Sequence, residues 1–143
     1  MTVERVRAVS DELVEALRRL IPQLSATAEL PTHDRLADLV AREDAYLFVA
    51  RDRGGRIVGS LTLVLYCIPT RLEGTIHDVV VDEAARGQGI GEALTREAQR
   101  IAAEAGVGRV RLTSRAHRHA AHRLYERLGF ERVETNVYVW QPR

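Results

Sequence analysis

The stretch ARGQGIGEAL, residues 85–94, places three glycines within five positions and runs straight into helix-forming sequence. Glycine-rich turns at helix starts hold phosphate groups, because the first helical turn offers free N–H groups and partial positive charge. Two common phosphate loops do not fit here. No Gly-Lys-Ser/Thr follows, which excludes a Walker loop. The dinucleotide pattern G-x-G-x-x-G fails too, since Gly87, Gly89 and Gly91 are followed directly by Glu92. DEAAR, residues 82–86, also separates the glycines from the preceding strand, whereas a dinucleotide turn follows its strand at once. What remains is an Arg-x-x-Gly-x-Gly loop on Arg86, Gly89 and Gly91.

Downstream of the loop, Ile90, Leu94, Ala98, Ile101, Ala102 and Ala105 recur at helical spacing, and Gly106 and Gly108 close the helix. RVRLTS, residues 109–114, then reads as a strand, residues 117–129 as a helix and residues 130–140 as a last strand or strands. Upstream, SDELVEALRRLIPQL, residues 10–24, is an amphipathic helix that Pro22 is expected to end. Residues 32–44 form a second short helix. Residues 45–50, 56–68 and 74–82 make a three-strand meander, and residues 3–9 a short opening strand. The order β-α-α-β-β-β-α-β-α-β predicts an α/β fold with a mixed, mostly antiparallel sheet flanked by helices on both faces. A length of 143 residues predicts one domain, 1–143.

Composition narrows the partners. A net charge of +1 argues against nucleic acid. No apolar run approaches the roughly 18 residues needed to cross a membrane. The charged opening MTVERVRAVS lacks a signal-peptide pattern, and Cys67 is the only cysteine, which together point to the reducing cytoplasm. Cys67 lies in an apolar run and is expected to be packed. His119 and His122 share a helix face, but His117 falls off it and no cysteine or carboxylate set completes a ligand group, so no metal is expected.

The loop with its flanks resembles the acyl-CoA-binding core of the GNAT superfamily of N-acetyltransferases, whose motif is Gln/Arg-x-x-Gly-x-Gly/Ala. RLYERLGF, residues 123–130, resembles the Leu-Tyr-x-x-x-Gly-Phe segment near the end of such domains, at the family's usual separation from the loop. The resemblance implies a GNAT-type acyltransferase fold with acetyl-CoA as cosubstrate. Its pyrophosphate would lie on the backbone of Gly87, Gln88, Gly89, Ile90, Gly91 and Glu92, with Arg86 adding charge or holding the loop. The pantetheine arm would pair with Val79, Val80 and Val81, and the Val79 N–H would serve the oxyanion. Arg118 stands where many members have an asparagine near the coenzyme. Tyr125 matches the family tyrosine that can protonate the departing thiolate.

Amide formation also needs a proton acceptor, because a primary amine is mostly protonated at neutral pH. Strict alternation over 75–81 would put Thr75, His77, Val79 and Val81 on one face and Ile76, Asp78 and Val80 on the other. His77 is one candidate base, imidazole being the side chain whose ordinary charge change lies nearest neutrality. Glu73 at the strand's start is a second, and ordered water a third. His77 as an ordinary sheet histidine is equally open. Glu29, His33, Tyr66 and Tyr138 are residues that could line an acceptor cleft, and Asn136 and Trp140 could line it or form a homodimer contact. The function expected is acetyl transfer to a primary amine of a small molecule, by direct attack in a ternary complex. A peptide acceptor and a non-catalytic acyl-CoA sensor are the alternatives.

Overall fold

The computed structural model describes residues 1–142, in two compact units, the first Met1–Thr113 and the second from Ser114 onward. The first contains β1 (Thr2–Arg5), α1 (Asp11–Leu24), α2 (His33–Val40), β2 (Ala45–Arg51), β3 (Ile57–Ile68) and β4 (Arg71–Val81). A 3-10 turn at Glu83–Ala85, α3 (Ile90–Glu104) and β5 (Arg109–Arg111) complete it. The strands form one sheet in the order β1-β2-β3-β4-β5, antiparallel except for the parallel β4–β5 pair. The mixed, mostly antiparallel sheet expected from the element order is therefore present.

The first two helices start where their cap residues direct. Ser10 accepts a hydrogen bond from the Leu13 N–H at 3.2 Å, and Thr32 does the same for Arg35 at 3.2 Å. Pro22 does not end α1 as expected: the helix continues to Leu24, and the Ser25 N–H closes it on the Ile21 carbonyl. The proline removes the one hydrogen bond its N–H would give to the Arg18 carbonyl, while the turn after it still closes through Ser25.

Helices cover both sheet faces. Leu13, Ala16, Leu17 and Leu20 of α1 and Leu36 of α2 pack with Leu47, Val49, Ile57 and Val80 on one side. On the other, a Cβ at Gly59 would stand 2.9 Å from Ile90 Cγ2 and 3.1 Å from Leu94 Cδ1, so the bare backbone there lets α3 sit directly on β3. The β3–β4 hairpin tip is more open. Cys67 and Ile68 are exposed, so the expectation of a packed thiol is overturned. Hydrophobic sequence at the end of a long hairpin does not ensure cover.

The second unit contains α4 (His119–Arg127). Residues 130–142 form no strand, contrary to expectation. A strand is stable only against a partner, and among the described residues this unit contains no other strand. Asn136, Tyr138 and Trp140 lie in that irregular stretch, with Tyr138 and Trp140 exposed.

Candidate active site

β4 carries most of the site in the first unit, and it does not keep strict alternation. Ser60 pairs with Val80 and Thr62 with His77, so three steps along β4 match two along β3. The extra residue is a β-bulge at Asp78–Val79, and Asp78 takes φ +52°, a left-handed conformation that aspartate tolerates better than most residues. The faces exchange there. Thr75 and His77 lie on the α1 side and Ile76, paired with Leu63, on the α3 side. Beyond the bulge Val80 packs against α1, while Val81 pairs with Gly59 on the α3 side. The expected shared face of Thr75, His77, Val79 and Val81 is therefore corrected.

The bulge coincides with an open strand edge. β5 pairs with β4 only at Glu73, Gly74 and Thr75. From Ile76 to Val81, β4 has no strand on that side among the described residues. The β4 backbone from Val79 to Val81 thus borders a place where an extended chain can add as another strand, through the groups that β3 does not use.

The loop after β4 fits an anion. Gly87 and Gly89 have φ +79° and +78°, and Gly89 is the N-cap of α3 without a side chain to cap it. Gly91 lies inside the first helical turn, where it removes side-chain bulk rather than bending the chain. Ile90 is buried in the core, so only its backbone serves the loop. Arg86 and Gln88 are exposed, and Glu92 pairs with Arg96 at 3.5 Å.

His77 is exposed, its Nε2 3.0 Å from the Thr75 hydroxyl. Glu73 is only 2% exposed. Its carboxylate accepts from the Tyr66 hydroxyl at 2.6 Å and from the Arg109 guanidinium. Those two hydrogen bonds hold its carboxyl below the ordinary glutamate value. The same contact raises the Tyr66 hydroxyl. Sequence reading did not reveal this trio, although Tyr66 was a cleft candidate, because its members join only through strand register.

The lowered Glu73 carboxyl sets a sign for acid stability. An unfolded chain recovers the ordinary value of 4.5 and binds the proton first as pH falls. The stabilisation from ionised Glu73 is thus present above pH 4.5 and lost as pH falls through its lower folded value. In melting curves taken across that range, Glu73→Gln should lower Tm at neutral pH and flatten its acid-side fall.

In the second unit, the LGF segment has a specific task. Gly129, at φ +94°, lets the chain turn back, so the Phe130 N–H reaches the Tyr125 carbonyl at 2.9 Å and the Gly129 N–H that of Glu126 at 3.1 Å. The Phe130 ring then meets Tyr125 edge-on, centroids 5.8 Å apart. Burial raises the Tyr125 hydroxyl above its ordinary value, and the nearby Arg118 charge opposes that rise. Arg118 is the N-cap of α4. His122 donates from Nε2 to the Arg115 carbonyl at 2.9 Å, which fixes that proton on Nε2. No group of three or more potential metal ligands occurs among the described residues, and no helix there is long and apolar enough to cross a membrane.

Comparison with known proteins gives the family. Its sequence model, described as the acetyltransferase (GNAT) family, matches residues 10–130. A mycothiol acetyltransferase from Amycolatopsis mediterranei is 37% identical over 99 residues, covering 66% of this chain and 33% of the relative. A glucosamine 6-phosphate N-acetyltransferase from Trypanosoma brucei brucei is 39% identical over 86 residues, 58% of this chain and 56% of the relative. The chain thus spans about a third to a little over half of these relatives. A solved Trypanosoma brucei acetyltransferase aligns at 29% identity with a TM-score of 0.78, over 98% of this chain and all of the other.

Proposed function

The chain belongs to the acetyltransferase (GNAT) family, and from that premise we propose that it moves an acetyl group from acetyl-CoA to a primary amine of a small molecule. The observation that carries this is the coincidence of the open β4 edge with a glycine loop at the uncapped start of α3. The edge takes the amide-bearing pantetheine arm as an added strand. The backbone of residues 87–92, with Arg86 beside it, takes the pyrophosphate. The family match crosses both units, which supports one working domain over 1–143. Relatives named for mycothiol and glucosamine 6-phosphate support a small-molecule acceptor, and the lone cysteine a cytoplasmic setting.

The amine nitrogen attacks the thioester carbonyl in a ternary complex, and the Val79 N–H steadies the oxyanion. As the carbon–sulfur bond breaks, the Tyr125 hydroxyl gives its proton to the departing sulfur, and the amine proton leaves to a base. We assign His77 as that base, directly or through water. Glu73 is the weaker choice because its carboxylate already accepts from Tyr66 and Arg109, and the lowered carboxyl makes it a poorer proton acceptor. Arg118, whose charge acts on Tyr125, is assigned to the coenzyme by its place in the family pattern.

Thiol release from acetyl-CoA, screened over amines, polyamines, aminophosphonates and peptides, tests the reaction. Binding without turnover on the whole panel would favour a sensor, and turnover on peptides alone would move the acceptor class. With a working amine, His77→Ala should remove the acid-side limb of the pH–rate profile and cut kcat about a hundredfold. An unchanged profile takes His77 out of the mechanism.

A further inference from the structure

Between the open β4 edge and the glycine loop, three successive anchors tie the chain to α1. Val80 packs among Leu13, Leu17 and Leu20. Asp82, only 8% exposed, receives Nη1 of Arg19 at 2.5 Å. The other arm of the same guanidinium, Nη2, donates to the Ile57 carbonyl at 2.8 Å, so Arg19 joins the start of β3 to the end of β4. One helical turn further along α1, Gln23 Oε1 accepts the Glu83 N–H at 2.8 Å. Asp82 also starts the 3-10 turn, its Oδ1 accepting from the Ala84 N–H at 3.2 Å.

The glycine loop has little packing of its own. A Cβ at Gly87 or Gly89 would meet no protein atom within 4 Å. Arg86 and Gln88 are exposed. The loop's place is therefore set at its two ends, by buried Ile90 on the helix side and by Asp82 and buried Ala85 on the strand side. The helix end is an ordinary core contact. The strand end is held by a charged fork and an amide, both directional, both from one face of α1 at i and i+4.

We propose that Arg19 and Gln23 are positioning residues for the donor loop, acting through Asp82 and the Glu83 N–H to hold residues 86–91 in their anion-binding arrangement. The proposal rests on the reading that this loop binds the pyrophosphate of acetyl-CoA. Loosening the clamp widens the range of loop positions, so donor affinity falls while the reacting groups stay untouched.

Arg19→Met keeps the length and packing of the stem and removes the fork, and Gln23→Ala removes one hydrogen bond. Calorimetric titration of the full chain with acetyl-CoA should give a Kd raised roughly tenfold for Arg19→Met and roughly threefold for Gln23→Ala. With an amine that turns over, KM for acetyl-CoA should rise by the same factors and kcat should stay within about twofold. Arg19→Lys, which keeps the charge but not the fork, should recover part of the loss. A purely structural role would lower Tm and leave the Kd of the folded variants unchanged, and that result overturns the proposal. Should Arg19→Met fail to fold, Gln23→Ala decides on the same criterion. Failure of the unaltered protein to bind acetyl-CoA defeats the reading of the loop itself, a distinct outcome.

Discussion

Replacing Tyr125 by phenylalanine should lower kcat about a hundredfold or more and leave the affinity for acetyl-CoA nearly unchanged. The ring keeps its edge-on contact with Phe130, so the turn at the end of α4 survives and only the hydroxyl is lost. Burial keeps that hydroxyl protonated through the neutral range. Even an ordinary tyrosine lies about 1.5 pH units above an ordinary thiol, so complete transfer to a free thiolate runs uphill by about 2 kcal/mol. Tyr125 therefore acts during carbon–sulfur cleavage, when the sulfur is gaining charge and the new amide offsets the transfer. Rapid-mixing kinetics with acetyl-CoA, beside titration calorimetry, separates the two effects. Equal turnover in the two proteins would remove the acid role and leave Tyr125 a packing residue.

Gly89→Val should weaken acetyl-CoA binding roughly tenfold or more and destabilise the fold by about 1–3 kcal/mol. The two losses have separate origins. Stability falls because φ +78° is a conformation a β-branched residue adopts only under strain, and α3 begins there. Binding falls because the new side chain occupies space that no protein atom fills, at the uncapped helix start. Gly89→Ala should show a smaller version of each. Thermal unfolding reports the first and calorimetric titration the second. A variant that loses stability yet binds acetyl-CoA as before would place the pyrophosphate elsewhere.

Much of this arrangement was legible in local patterns. Helical spacing in α1 and α3 and the Ser10 and Thr32 caps are properties of neighbouring residues, and so is the glycine loop. What escaped depends on strand register and on partners elsewhere in the chain. Nothing near Glu73 announces Tyr66 or Arg109, which reach it across β3 and β5. Arg19 looks like one more solvated arginine of α1 until β4 delivers Asp82 to it. The bulge at Asp78 was hidden for a different reason: the alternation of TIHDVVV, residues 75–81, reads smoothly, and the local hint is an aspartate among β-formers, able to take positive φ. The final strand erred in the opposite sense, since alternating β-branched residues, Val133, Thr135, Val137 and Val139, indicate strand propensity and not the presence of a partner.

The exchange of faces within β4 divides the tolerance of that strand to substitution. Before Asp78 the even-numbered Ile76 belongs to the α3-side core, and after it the even-numbered Val80 belongs to the α1-side core. A scan of charged replacements along β4 would thus show its sensitive positions change phase at one residue. Shortening the strand by that residue would turn Val80 and its successors over together, pulling the strand's exit away from α1. A single inserted amino acid lets one continuous strand obey two sets of neighbours.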